Sequence, residues 1–230
     1  MATKVKICGI TRPADALLAL SLGADYLGII VHAKSPRAVD PKNIPALLEH
    51  IPPGKRVLVD VSTPTDQLER YLELGFDAYQ IHFDLEVSMA TVAAWSGLVG
   101  QHALWAAPRI PPAEKHFPQV LMEFADTILL DAYDPKVYGG TGQAGGNWQR
   151  FLDCTLYYQH KRWILAGGLS PDNIAEALRF TSAEMVDVNS GVESVPGIKD
   201  PQRLRRLFEV IREQDHDGAD AQGADGEGDG

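Results

Sequence analysis

The chain has 230 residues, of which 45% are apolar and 23% charged, and its formal net charge is −10. This composition is typical of a globular protein, and no apolar run approaches the roughly 20 residues that span a bilayer. The N-terminal MATKVKICGI lacks the charged and long apolar regions of a secretory signal. We therefore expect a cytoplasmic protein without a membrane segment.

Much of the negative charge is concentrated at the C-terminus. Residues 214–230 contain six acidic residues and neither Lys nor Arg, which leaves a net charge of about −4 for the rest of the chain. This segment also lacks large apolar residues, so we predict a folded domain over 1–213 and a disordered acidic tail over 214–230. Because no basic stripe is present to neutralise phosphates, nucleic acid is not expected as a partner.

The chain has two cysteines, Cys8 and Cys154, which are too few for a disulfide framework. Reduced thiols are therefore expected. Among the histidines, His32, His82 and His102 form no pair with metal-ligand spacing on one element. The sequence predicts no metal site.

From residue 4 onward, short apolar strands alternate with helical stretches about every 25 residues, a pattern typical of successive βα units. Strands are predicted at 5–10, 25–31, 56–61, 77–82, 103–108, 126–132, 162–168 and 184–190. Helices are predicted at 13–23, 42–50, 63–75, 88–95, 117–124, 147–156, 171–180 and 201–212, although prolines leave little room for the fifth. Eight βα units predict a single-domain α/β fold, the (β/α)₈ TIM barrel. If two of the weaker units are not real βα units, an open doubly wound sheet is the alternative.

Two polar residues end strands of this predicted barrel, where active-site groups of such barrels lie. Cys8 closes the first strand, although a lone cysteine is more often a buried structural residue. Asp131 follows the apolar sixth strand, where a buried unpaired carboxylate would be costly, so it is expected to face the barrel mouth or to brace a loop. Together, a thiol and a carboxylate are suited to paired acid and base chemistry.

Three loops add possible ligand-binding groups. Arg37 follows the second strand, and it is either a bidentate grip for a carboxylate or one half of a surface salt bridge. The turns after strands seven and eight contain Gly167 and Gly168, then Ser190 and Gly191; such turns bind phosphate in many barrels, or simply need glycine. The glycine-rich segment 137–148 is a candidate lid.

Several motifs, in this order, resemble the phosphoribosylanthranilate isomerase family of tryptophan biosynthesis over residues 4–213. They are Lys6-Ile-Cys-Gly-Ile-Thr11, Lys34-Ser-Pro-Arg37, Leu129-Leu-Asp131, Gly139-Gly-Thr-Gly142, Leu165-Ala-Gly-Gly-Leu169 with Pro171-Asp-Asn173, Val186-Asp-Val-Asn-Ser-Gly-Val-Glu193 and Gly197-Ile-Lys-Asp200.

The resemblance implies an Amadori rearrangement of N-(5-phosphoribosyl)anthranilate, a small phosphorylated substrate, without metal or organic cofactor. Asp131 would be the general acid, Cys8 the general base and Arg37 the anchor for the anthranilate carboxylate. The loops with Gly167, Gly168, Ser190 and Gly191 would hold the phosphate, and Gln80, His82 and Asp187 match further substrate-binding positions. Members of the family occur as monomers and homodimers.

To act as a base, Cys8 must be present as a thiolate. A thiol with a pKa of about 8.5 is only a few per cent thiolate at pH 7, so we predict that nearby dipoles or cations lower the Cys8 pKa.

Several residues depart from the family pattern. Phe83 and Asp84 follow Gln80-Ile-His82 where the family usually has glycine, so a reshaped loop is expected because Phe does not take positive φ as cheaply as Gly. Asp60 lies in strand three, either as a brace for a cation or as a second carboxylate at the mouth. The strand-six loop differs from Gln143 onward, and Asn189 stands where Ser is usual.

Two other functions remain open at this stage. A histidine-pathway phosphosugar isomerase shares the expected fold but uses two aspartates, and Cys8 argues against it. A degenerate barrel that binds a phosphorylated ligand without turnover is suggested by the altered loops at Phe83 and Gln143.

Overall fold

A closed barrel of eight parallel strands, hydrogen-bonded in chain order, forms the centre of the computed structural model, which describes residues 2–111, 113–114, 117–131 and 148–223. The strands are β1 (Lys4–Ile7), β2 (Tyr26–Ile30), β3 (Arg56–Val61), β4 (Ala78–Asp84), β5 (Leu104–Arg109), β6 (Thr127–Leu130), β7 (Arg162–Leu165) and β8 (Met185–Val188). Strand β1 pairs with both β2 and β8, which closes the ring. The predicted α/β barrel is confirmed, and an open sheet is excluded.

Helices surround the barrel. They are α1 (Pro13–Leu22), α2 (Ile44–Leu48), α3 (Thr65–Leu72), α4 (Met89–Val99), α5 (Trp148–Tyr157), α6 (Ile174–Thr181) and α7 (Pro201–Gly223). In place of the predicted fifth helix, the chain forms a short 3₁₀ helix over Gln119–Glu123, which begins directly after Pro118. None of the helices in the described part of the chain is long and apolar enough to cross a membrane.

Helix α7 crosses the boundary that was predicted at residue 213. The reason is a contact with the other end of the chain: the Asp215 carboxylate accepts hydrogen bonds from Thr3 N at 3.1 Å and from Thr3 Oγ1 at 2.7 Å. The ordered body therefore includes Asp215. That the acidic segment beyond it is disordered stays a prediction, and residues 224–230 lie outside the described residues.

Alternation along the strands divides the side chains between two cores, since successive residues of a strand point to opposite faces. The inner cluster fills the barrel and the outer one lies between strands and helices. The inner cluster consists of Cys8, Val57, Val59, Ala78, Trp105, Ala107, Leu129, Ile164, Ala166 and Met185. Alternation also turns four polar side chains toward the interior: Lys6 beside Cys8, Gln80 and His82 after Ala78, and Asp187 after Met185.

A small antiparallel hairpin follows β8 and reaches the mouth of the barrel. It pairs β9 (Glu193–Val195) with β10 (Ile198–Lys199). Thr11, directly after β1, holds it by donating a hydrogen bond from Oγ1 to Gly197 O at 2.5 Å. This contact brings the side chains of Glu193 and Lys199, both buried, next to the first and last strands.

Candidate active site

One cavity of about 300 Å³ opens at the carboxyl ends of the strands. Nine of the ten site residues predicted from the sequence line it: Cys8, Arg37, Gln80, His82, Asp131, Gly167, Gly168, Asp187 and Ser190. The tenth, Gly191, packs directly behind the lining. Lys34, Asp60 and Asn189 also line the cavity, so the loops after β2 and β8 and the end of β3 contribute to it.

Cys8 lies at the floor of this cavity, directly after β1, and is 4% exposed. Its backbone N–H donates to Val188 O at 2.9 Å, which fixes the residue against β8. Burial raises the pKa of the Cys8 thiol, and the positive charges of Lys6 and Lys199 only partly oppose this effect. The prediction of a lowered Cys8 pKa was therefore wrong, because desolvation of the thiolate outweighs the nearby cations.

Lys6 and Asp187 form an ion pair inside the barrel, with Lys6 Nζ 2.8 Å from Asp187 Oδ1. The two residues are register partners across β1 and β8, and the Lys6 side chain is fully buried. Burial lowers the Lys6 pKa, but the negative charges of Asp187 and Cys8 raise it by more than burial lowers it. The Lys6 pKa is therefore raised overall, and Lys6 stays protonated. Lys6 was not predicted as a site residue, although its alternation with Cys8 along β1 indicates that both side chains point into the barrel.

Arg37 lines the cavity but is already paired with a carboxylate of this chain. Its Nε lies 3.0 Å from both carboxylate oxygens of Glu193, and its Nη2 lies 2.7 Å from Oε2. Glu193 is held in turn by Lys199 Nζ at 3.0 Å and by Gly197 N at 3.1 Å. Glu193 and Lys199, which the sequence analysis did not select, therefore fix the orientation of the guanidinium.

On β4, Gln80 and His82 point into the cavity as a hydrogen-bonded pair, with Gln80 Nε2 2.8 Å from His82 Nε2. Burial, helped by the charges of Lys6, Arg109 and His32, lowers the pKa of His82 to about 3. His82 is therefore neutral at pH 7. Because the Gln80 amide nitrogen donates to Nε2, the imidazole hydrogen is on Nδ1.

Two further carboxylates lie at the mouth. Asp131 follows β6 and lines the cavity, as predicted. Asp60 accepts hydrogen bonds from Val61 N at 2.8 Å and from Thr63 Oγ1 at 2.9 Å, and its Oδ1 is 3.5 Å from His32 Nδ1. Asp60 thus braces the loop after β3 and lines the cavity, a position that fits the second alternative considered for it, a carboxylate at the mouth.

The loops after β7 and β8 are in close contact. Gly167 and Gly168 have φ of 96° and 62°, which favours glycine at both positions. The Asn173 side chain accepts from Ser170 N at 2.8 Å and donates to Gly168 O at 3.0 Å, which fixes the first loop. A Cβ on Gly191 would overlap Leu169 O, so a glycine is required where the two loops meet.

The candidate lid, 137–148, falls outside the described residues except for Trp148, which begins α5. Within the described ranges, no group of three or more His, Cys, Asp or Glu residues is arranged to hold a metal ion.

Comparison with known proteins identifies the family. The model of the family described as N-(5'-phosphoribosyl)anthranilate (PRA) isomerase matches residues 5–210. The chain belongs to this family. The enzyme of this name from Citrifermentans bemidjiense is 38% identical over 212 residues, which cover 90% of this chain and 95% of the relative.

Solved structures of family members have the same fold. The phosphoribosyl anthranilate isomerase of Thermus thermophilus matches with a TM-score of 0.75 and 30% identity, covering 92% of this chain and 99% of its own. Another member was crystallised in complex with reduced 1-(o-carboxyphenylamino)-1-deoxyribulose 5-phosphate, and it matches with a TM-score of 0.70 and 25% identity, covering 92% and 99%.

Two of the departures from the family pattern, Phe83 and Asn189, have structural explanations, whereas the one from Gln143 onward lies outside the described residues. Phe83 does not take positive φ; it continues β4, is buried and packs on Trp95 with ring centroids 5.5 Å apart. The reshaping expected at this position is therefore an extension of β4 to Asp84. Asn189 Oδ1 accepts from Lys199 Nζ at 2.9 Å, so the amide links the loop after β8 to the hairpin.

Proposed function

We propose that this chain catalyses the Amadori rearrangement of N-(5-phosphoribosyl)anthranilate to 1-(2-carboxyphenylamino)-1-deoxyribulose 5-phosphate, a step of tryptophan biosynthesis. The observation that carries the proposal is the convergence of a thiol, a carboxylate, an arginine and two glycine loops on one cavity. Membership of the isomerase family supports it, as does the ligand bound by the related structure. The cytoplasm is the compartment we propose.

Acid and base are assigned by position. Asp131 donates a proton to the furanose ring oxygen, the ring C–O bond breaks, and an iminium forms at C1'. Cys8 as thiolate then removes the proton from C2', and the electron pair of that C–H bond neutralises the iminium to give an enolamine. The enolamine relaxes to the ketone product. No oxidant or reductant is consumed, because the rearrangement moves hydrogen within one molecule.

Substrate binding uses opposite sides of the mouth. Arg37 binds the anthranilate carboxylate through the part of its guanidinium that Glu193 does not occupy. The phosphate binds at the loops of Gly167, Gly168, Ser190 and Gly191, where backbone N–H groups are the donors. Gln80, His82 and Asp187 complete the walls. All of these groups come from a single chain, so a monomer and a homodimer are both compatible with the site.

The test is loss of turnover in Cys8→Ala and Asp131→Ala. We expect each variant to lose at least about 100-fold in kcat, the usual contribution of a general acid or base, while the fold is retained. The purified variants are assayed directly and in a tryptophan auxotroph that lacks this step. Cys154→Ala is the matched control, since this second thiol is buried in α5, and it should complement fully.

The alternatives predict different results. A binding barrel without turnover would bind the reduced product analogue but would not complement in its wild-type form. A histidine-pathway isomerase would rescue a histidine auxotroph instead. Complementation by both Cys8→Ala and Asp131→Ala would overturn the residue assignment.

A further inference from the structure

A lysine lies beside the proposed base at the floor of the barrel. Gly28 on β2 shows how close it is, because a Cβ built there would lie 3.0 Å from Cys8 Sγ and 3.0 Å from Lys6 Nζ. The two atoms are therefore separated by no more than twice this distance. No side chain at position 28 comes between them.

The ammonium of Lys6 is fixed rather than free to rotate. Its side chain is 0% exposed, and the 2.8 Å bond to Asp187 holds Nζ at the seam between β1 and β8. A fully buried lysine is rare in a barrel interior because the charge must be desolvated, and Asp187 compensates for that cost. An apolar residue would fill the same space without that cost, so packing alone does not explain a lysine here.

We propose that Lys6 is a positioning residue for the reaction, and that its fixed ammonium stabilises the Cys8 thiolate while Asp187 holds the ammonium in place. The proposal rests on the assignment of Cys8 as base in the proposed function. When Cys8 loses its proton, the buried negative charge forms next to an existing positive one, and when the thiolate accepts the C2' proton, the original charges are restored. Lys6 itself neither gains nor loses a proton.

The charges around Cys8 agree with this role. Lys6 on β1 and Lys199 on β10 lower the pKa of the thiol, whereas burial and Asp187 on β8 raise it. Lys199 is already engaged by Asn189 and Glu193, with bonds of 2.9 and 3.0 Å. Of the two cations, Lys6 exerts the larger effect on the thiol.

The test measures the Cys8 thiol directly. In a Cys154→Ala background, so that Cys8 is the remaining thiol, the rate of alkylation by iodoacetamide is followed against pH. Lys6→Met should move the midpoint of this profile up by about one pH unit or more and lower kcat about tenfold or more, with little change in KM. An unchanged midpoint and an unchanged kcat would overturn the proposal.

A second variant separates electrostatics from folding. Asp187→Asn keeps the shape of the side chain but removes a negative charge near Cys8, so the alkylation midpoint should move down. A purely structural pair predicts that both substitutions act alike. Alkylation midpoints that move in the same direction in Lys6→Met and Asp187→Asn would therefore contradict the inference. If Lys6→Met does not fold, a midpoint in Asp187→Asn that fails to move down would contradict it.

The matched control is Lys161→Met. Lys161 is also a nearly buried lysine, with Nζ 3.2 Å from Asp126, but it lies at the opposite end of the barrel, where β7 begins. It should reduce stability without moving the Cys8 midpoint. The alkylation profile does not depend on turnover, so a wild-type protein without isomerase activity would refute the proposed function while leaving the Lys6 effect measurable.

Discussion

At the residue scale, the barrel interior shows how environment decides the charge of a side chain. Lys6 stays charged because Asp187 faces it at 2.8 Å. His82, which lies in the same interior, is neutral because burial disfavours its charged form and no carboxylate pairs with it among its described contacts. Burial acts on both groups in the same direction. The difference between them is the partner.

His82 makes stability depend on pH. Its pKa is about 3 in the folded protein and about 6.5 when exposed, so the unfolded chain binds a proton between these values that the folded protein does not. Stability is therefore complete above about pH 6.5 and falls as the pH is lowered toward 3.

The expected result is a shallower acid dependence in His82→Gln. The difference in unfolding free energy between wild type and variant should change by up to about 1.4 kcal/mol per pH unit below pH 6.5, measured by urea denaturation. The exposed His50 provides the control, His50→Gln. Parallel curves for wild type and His82→Gln would contradict the assignment of a neutral histidine.

At the element scale, the loops after β7 and β8 act as one unit. Gly191 lies against Leu169, and the amide of Asn173 fixes Gly168 from behind. The proposed phosphate site therefore depends on the fit between two loops, and not on either glycine turn alone.

Gly191→Ala should separate these loops. Its Cβ would overlap Leu169 O and lie 2.8 Å from Ser170 Cβ, so the backbone must move. We expect a loss of about 1–3 kcal/mol in stability and a KM that rises about tenfold. Gly97→Ala in α4 is the control, because nothing lies within 4 Å of its Cβ, and it should keep the wild-type KM. A wild-type KM in Gly191→Ala would argue against this phosphate site.

The elements themselves were largely predictable from the sequence. Eight short apolar runs, spaced about 25 residues apart between helical stretches, predicted eight strands in the right order, and Cys8, Asp131 and the glycine turns lie at the strand ends where they were expected. The exceptions have local causes: prolines reduced the fifth helix to a 3₁₀ turn, and Phe83 extended β4 because it packs on Trp95.

The electrostatics were not predictable in the same way. The direction of the Cys8 pKa shift depends on the balance between burial of the thiol and the opposing charges of Lys6 and Lys199. This balance is set by how elements far apart in the chain pack together. The Arg37–Glu193 pair likewise joins residues that are 156 positions apart. A strand pattern indicates which face a residue occupies, but not which partner faces it.

At the scale of the whole molecule, the two ends of the chain meet. Thr3, just before β1, is bonded to Asp215 in α7, and β1 itself pairs with β8. The C-terminal helix thus reinforces the place where the barrel closes.

Asp215→Ala should weaken this closure. It removes the carboxylate that accepts the hydrogen bonds of Thr3 N and Thr3 Oγ1. We expect a loss of about 1–2 kcal/mol, which lowers Tm by a few degrees in a protein of this size. The measurement is thermal unfolding followed by circular dichroism. A chain ending at residue 216 retains the contact and should melt like the full chain, while one ending at 213 should resemble Asp215→Ala. Equal Tm values for the full chain, Asp215→Ala and both truncated chains would show that the contact between Thr3 and Asp215 does not stabilise the protein.

The Lys6–Asp187 pair also has a consequence for the order in which the protein matures. Asp187 belongs to β8, the last strand of the barrel to be synthesised, and until β8 has joined β1 the lysine beside Cys8 lacks this ion-pair partner. A chain that has formed its first seven strands therefore holds the thiol, but not the charge arrangement around it. The charge arrangement around Cys8 is thus completed by the same strand pairing that closes the barrel.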